Sequence, residues 1–285
     1  MRYLALSSFL VALLATSHAK PNIVFFLVDD LGYMDIGAYN PDTFYETPNI
    51  DQLAASGVRF TDGYAANPVC SPTRYSILTG KYPSRAGATN WFSGRRSGHF
   101  NPAPLHSNMP LAEITLAEAL KEAGYQTAFL GKWHIAPGVG RGGKVADEVS
   151  PVGQGFDLNV GGTSYGGPPS FFSPYRNGEL TDVADGEYLP DRLVDETIRF
   201  IKANKTKPWM THLWFYTVHW PMQAPEPLLK KYADRKGPGL NDTRYGAMIE
   251  AMDLAIGRLL KALDEMKLAD DTLVIFTSDN GGFAG

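Results

Sequence analysis

The chain has 285 residues, of which 44% are hydrophobic and 12% aromatic, and carries a formal charge of −4. That length allows one large domain or two small ones and is ample for a buried core. Charge this close to balance gives no sign of nucleic-acid binding, so any contact with a polyanion has to come from a local basic cluster.

The first residues, MRYLALSSFLVALLATSHA, join a basic Arg2 to an apolar run over Leu4–Ala15 and end on the small residues Ser17 and Ala19. This is the pattern of a secretory leader cleaved after Ala19. A dozen or so apolar residues fall short of the ~20 that a spanning helix needs. No later segment is long and apolar enough to span, so stable membrane insertion is not expected. The expected location is outside the cytoplasm, with extracellular space, periplasm and lysosome all open.

NIVFFLV (Asn22–Val28) is a short, continuous apolar run, the pattern of a strand buried on both faces. TPNIDQLAASG predicts a helix with Thr47 as N-cap, Pro48 in the first turn and Gly57 as stop. TLAEALKEAG predicts another, with Thr115 and Glu118 as a capping box and Gly124 ending it. YQTAFLG reads as a strand. DRLVDETIRFIKAN repeats apolar residues at helical spacing through Leu193, Val194, Ile198 and Ile201. WMTHLWFYTV reads as a strand over Trp209–Val218, YGAMIEAMDLAIGRLLKALDEM as a long amphipathic helix, and TLVIFTS as a further buried strand. Strands alternating with helices predict an α/β fold with a mostly parallel central sheet. Two loop regions stand out as candidates for a substrate mouth: residues 86–110, with Trp91, Phe92, Arg95, Arg96 and His99, and the Gly- and Pro-rich residues 136–178, with Arg141 and Lys144.

Four of the predicted strands run straight into polar residues. Asn22–Val28 leads to Asp29-Asp30, the second strand to Lys132 and His134, the third to His219, and Thr272–Ser278 to Asp279-Asn280. Ligands bind beyond the carboxyl ends of the strands in open parallel sheets. An Asp-Asp pair after one strand is ordinarily a cap; two such oxygen-bearing pairs, Asp29-Asp30 and Asp279-Asn280, at equivalent strand ends point to a metal. An all-oxygen set of three carboxylates and an amide suits calcium or magnesium rather than zinc. Lys132 and His134, two apart, share a side in an extended segment and suit anion binding with proton transfer. His219 takes the same position after its strand. His18, His99, His106 and His212 have no such support.

Cys70 is the only cysteine. In a secreted chain a lone thiol is hidden, bound to metal or used. Its setting is NPVCSPTRYSILTG. Pro72 suits a helix's first turn, which places Cys70 or Ser71 at the N-terminus, where free N–H groups favour an anion. Arg74, four residues on, shares its face. A nucleophile beside a guanidinium at a helix start is a site for a tetrahedral oxyanion ester, and from physics alone phosphate and sulfate fit equally.

CSPTR followed by LTG resembles the Cys-x-Pro-x-Arg signature of type I, formylglycine-dependent sulfatases, arylsulfatase-like members of the alkaline phosphatase superfamily. PNIVFFLVDDLGYMDIG, ETPNIDQLAASGVRFTDGYA, GYQTAFLGKWH and FTSDNGG resemble that family's other blocks in the same order, over nearly the whole mature chain. The resemblance implies that Cys70 is oxidised to formylglycine by a formylglycine-generating enzyme and hydrates beside a divalent cation, usually calcium, with magnesium the alternative. One hydroxyl would then attack sulfur, and loss of a proton from the other would expel sulfate. It further implies that Asp29, Asp30, Asp279, Asn280 and modified Cys70 bind the metal. Arg74 would steady the modified side chain, Lys132 bind sulfate, His134 collapse the diol, and His219 hold the ester and protonate the leaving oxygen.

The implied substrate is a sulfated carbohydrate or aryl sulfate; related phosphoester or phosphonate hydrolases share the scaffold, and an inactive, glycan-binding relative is the third alternative. The family's catalytic domain continues past DNGG, with a further lysine and a smaller domain. Here the expectation is therefore a leader over 1–19 and a catalytic domain over 20–285 that is incomplete at its C-terminus.

Overall fold

A computed structural model describes residues 20–92, 94, 98–99, 101, 104–140, 142–235, 237 and 242–282. The expected leader, Arg95, Arg96 and Arg141 lie outside the described residues. Five parallel strands form one sheet in the order β3-β2-β4-β1-β5: β1 (Asn22–Val28), β2 (Gln126–Gly131), β3 (Leu158–Val160), β4 (Trp209–Trp214) and β5 (Thr272–Ser278). The helices are α1 (Pro48–Ser56), α2 (Cys70–Thr79), α3 (Pro83–Ala86), α4 (Leu116–Glu122), α5 (Leu189–Asn204), α6 (Glu226–Tyr232) and α7 (Thr243–Glu265). The α/β architecture and the mostly parallel sheet expected from the alternation are both present.

Strand alternation divides the core. Val24, Phe26 and Val28 of β1 join Ala128, Leu130 and Leu213 in a cluster closed by α5 and α7. Leu27, Phe129, Met210 and Trp214 point the other way, into a second cluster with Tyr75 and Leu78 of α2 and Ala117 of α4. Most of the sheet is therefore covered on both faces, which is why β1 and β4 read as continuous apolar runs.

The capping box of α4 forms as its spacing predicts. The Thr115 N–H donates to Glu118 Oε2 at 2.8 Å, and the Glu118 N–H donates to Thr115 Oγ1 at 3.1 Å. Thr47 occupies the N-cap position of α1, but its side chain does not cap. Asp253, from α7, accepts the N–H groups of Asn49 and Ile50 at 3.2 and 2.8 Å instead. That long-range contact has no local sequence signal.

Two strand expectations need correction. β4 ends at Trp214, four residues before Val218, because its pairing with both neighbours runs out at Leu27 and Gly131. Beyond it the chain crosses the end of β1: the Asp29 N–H donates to Thr217 O at 2.9 Å and the Val218 N–H donates to Asp29 O at 2.6 Å. Among the described residues β5 is the outer strand, so the burial expected of TLVIFTS is met on one face only. Leu273 is 50% exposed and Ile275 36%, on a face that no helix covers among the described residues.

Gly131 closes β2 with φ +103°, and a Cβ there would lie 1.9 Å from the Trp214 carbonyl oxygen. Only glycine allows this approach, which also delivers the Lys132 N–H to Trp214 O at 2.8 Å. Gly131→Ala is expected to destabilise the fold by at least about 2 kcal/mol, read from equilibrium urea denaturation. Wild-type stability in that variant would mean that β2 and β4 part without cost.

Candidate active site

The site is made by register. Val28 of β1 lies directly opposite Ser278 of β5, so the residues that follow, Asp29-Asp30 and Asp279-Asn280, emerge side by side. Gly131 is paired with Trp214, which brings Lys132 to the same edge. Cys70 is the first residue of α2, and its N-terminus is aimed at that edge. One ligand atom from each of Asp29, Asp30, Cys70 and Asp279 lies within 4.8 Å of all the others. The four strand ends do converge, and every candidate residue but one is at least largely buried there. The exception is His219, at the rim, with its Nε2 3.9 Å from Asp30 Oδ2 and its side chain 28% exposed.

Two cations hold the acids together. Arg74 is fully buried; its Nε and Nη2 donate to Asp279 Oδ2 at 3.0 and 2.7 Å, and its Nη1 donates to the Lys132 carbonyl at 2.7 Å. Nη2 also lies 3.3 Å from Asp29 Oδ1, and Lys132 Nζ lies 2.5 Å from Asp29 Oδ2. Burial drives the Asp29 carboxyl well above the usual range, with the Asp279 charge adding to the effect against Lys132 and Arg74. Burial also pushes Asp279 up, but Arg74 and Lys132 outweigh it and hold this carboxyl below its ordinary value.

Three carboxyl groups share this space with two cations, and the raised Asp29 shows that those cations do not fully offset burial and mutual repulsion. Asn280 Nδ2 donates to Asp30 Oδ1 at 2.6 Å, while Asn280 Oδ1 is buried with no hydrogen-bond partner. An orphaned oxygen beside three carboxylates fits a hard divalent cation, which would supply the missing positive charge.

The two histidines at this edge both have lowered pKa values. Burial, then the charges of Lys132 and Arg74, hold His134 well below its ordinary pKa, and its Nδ1 is buried without a partner. Burial and Lys132 lower His219 as well. Burial pushes the Cys70 thiol far up, with Asp29 adding to it. The thiolate is the reactive form of cysteine, so the unmodified residue is a poor nucleophile here.

Several supporting residues carried no recognisable signal in the sequence. Ser71 Oγ donates to the His134 carbonyl at 2.7 Å and accepts the Phe92 N–H at 3.2 Å, tying the start of α2 to the histidine turn. The Trp214 ring lies under the Arg74 guanidinium at 5.4 Å. Gly166 and Gly167 press against the two histidines; a Cβ on the first would be 2.8 Å from His134 Cε1, and on the second 3.0 Å from His219 Nδ1. The GG dipeptide was visible, but not what it touches. His212, which had no functional support, is buried against Phe25, Phe156 and Trp214, and burial lowers its pKa to about 3. Lys144 lies on the surface, 3.8 Å from Asp147.

A family model described as Sulfatase matches residues 21–284. The chain belongs to the sulfatase family. It is 32% identical to human N-acetylgalactosamine-6-sulfatase over 283 residues, covering 92% of this chain and 50% of that protein. Human steryl-sulfatase is 31% identical over 340 residues, with 94% and 56% covered. Among solved structures, Ps i-CgsB in complex with k-i-k-neocarrahexaose superposes with a TM-score of 0.75 at 30% identity, covering 92% of this chain and 59% of that one. The sulfatase fold is thus matched over nearly the whole chain, while the chain spans about half the length of the curated sulfatases it matches.

Within this sulfatase-family site, Arg74→Met strands two buried carboxylates. The variant is expected to lose about 3–5 kcal/mol of stability, measured by urea denaturation, and Asp279→Asn added to it should recover part of that loss. A single variant as stable as the wild type would show that the arginine does not hold the acids together.

Proposed function

We propose that this chain carries the nucleophile, cation ligands and sulfate-binding groups of a secreted sulfatase acting on sulfate esters of a carbohydrate. The observation that carries the reading is Cys70: its sulfur lies within 4.8 Å of oxygens from three carboxylates, at a helix start, with its thiol held protonated. A cysteine so placed is of little use as a thiol and of much use as a precursor. Converted to formylglycine by a formylglycine-generating enzyme, residue 70 would supply a hydrated aldehyde, whose hydroxyl groups are the nucleophile and the means of releasing sulfate. Asp29, Asp30, Asp279 and Asn280, with the modified residue 70, would hold calcium or magnesium, which supplies electrostatic stabilisation to an oxyanion.

The chain's own groups have the remaining roles. Arg74 keeps the residue-70 helix start fixed against Asp279. Lys132, buried and cationic, offsets the charge of the sulfate oxygens. His134, neutral and with an unpartnered Nδ1, is set to accept a proton from the residue-70 group. His219, at the rim, would hold the ester and, once it has taken up a proton, pass that proton to the leaving oxygen. Trp220 follows His219, Tyr165 precedes Gly166, and both are substantially exposed, at 43% and 38%. Such rings suit the apolar face of a sugar. The printed names of two relatives point the same way: one is a sulfatase of N-acetylgalactosamine, and another is bound to neocarrahexaose. The leader-like pattern of residues 1–19 supports export, and no helix among the described residues is long and apolar enough to cross a membrane.

The test is to produce the chain in its native reading frame together with a formylglycine-generating enzyme. The peptide containing residue 70 should lose hydrogen sulfide and gain oxygen by mass. Hydrolysis of an aryl sulfate should exceed that of the matched aryl phosphate, and Cys70→Ala should lower it by about ten-thousand-fold or more. An active protein with an unmodified thiol, or a preference for phosphate, would overturn the proposal.

A further inference from the structure

Asp30 adopts φ +58° although it is not glycine. Aspartate enters that left-handed region more readily than most residues with a Cβ, and here backbone and side-chain contacts hold it there. The Asp30 carbonyl oxygen faces Tyr245 Oη at 3.1 Å, and the same hydroxyl lies 2.7 Å from Asp35 Oδ2. Asp35 Oδ2 also accepts the Gly32 N–H at 3.1 Å. A Cβ on Gly32 would sit 2.5 Å from that oxygen, so the approach requires glycine. Tyr245 projects from the first turns of α7, is 7% exposed, and packs edge-on against Tyr45 at 5.7 Å. The phenol's one proton thus lies between a carboxylate and a carbonyl, locking α7, the 32–35 turn and Asp30 into one unit.

We infer that Tyr245 and Asp35 are positioning residues for Asp30, fixing the turn that directs its carboxylate into the cluster with Asp29, Asp279 and residue 70. The inference rests on the divalent-cation reading of that cluster. Neither residue belongs to the cluster itself, and both bear on it through the backbone. Loss of the clamp leaves the ligand's chemistry intact and frees its direction, so the effect falls on cation affinity.

The test is calorimetric titration of calcium into the purified chain freed of metal by a chelator. Tyr245→Phe and Asp35→Ala should each weaken calcium binding about ten-fold. Asp35→Asn, which can keep an acceptor oxygen in place, should restore most of the affinity. Tyr188→Phe is the control: it removes a buried hydroxyl bonded to Gln223 O at 3.0 Å, with no bond to Asp30 or the 32–35 turn, and should leave calcium affinity unchanged. If Tyr245→Phe fails to fold, Asp35→Ala against Asp35→Asn gives the same reading. Wild-type calcium affinity in both Tyr245→Phe and Asp35→Ala would overturn this inference alone. A wild-type chain that binds no calcium would overturn the cation reading and this inference with it.

Discussion

The pairing of β1 with β5 is the constraint on which the site depends. Val28 opposite Ser278 places four acidic or amide side chains at adjacent strand ends. Like charges in such a place repel and are costly to bury. The fold answers with Arg74 and Lys132, both fully buried, each bonded to a carboxylate and joined through the Lys132 carbonyl. A slip of one residue in this register would turn each side chain to the opposite face and dissolve the arrangement.

The two faces of the sheet contribute differently. The helices α5 and α7 close the larger apolar cluster, and Asp253 of α7 reaches across to cap α1. The opposite face carries α2, whose first residue is Cys70 and whose fifth, Arg74, rests on Trp214. One face mainly braces the strand ends while the other brings Cys70 to them.

Much of this was legible in the sequence because it is local. An apolar run ending in Asp-Asp, a capping box, and a proline just inside a helix all act within a few residues. The parallel sheet then turned separate strand ends into one site. What escaped depends on distant partners. TLVIFTS has a buried strand's composition, and its place at the edge is set by the strand order. β4 stops at Trp214 because its neighbours stop pairing, although the apolar run continues to Val218. Thr47 resembles a cap and is displaced in that role by Asp253, some two hundred residues away. Gly166 and Gly167 read as a loop, and only the fold reveals that they touch the histidines. Residue types at strand ends were readable; the groups that orient them were not.

The separation along the chain between β1 and β5 also bears on how the site comes into being. Its carboxylates come from the first and the last strand of the sheet, and the turn at Asp30 is gripped by the late helix α7. Contacts between segments so far apart form only after a large loss of chain entropy. Assembly of the acidic cluster therefore carries a large entropic cost. Until β5 docks, Asp29 and Asp30 have no Asp279 beside them, and nothing draws Arg74 into place from that side. Occupancy of the cluster by a cation would thus report that β1 and β5 have come together.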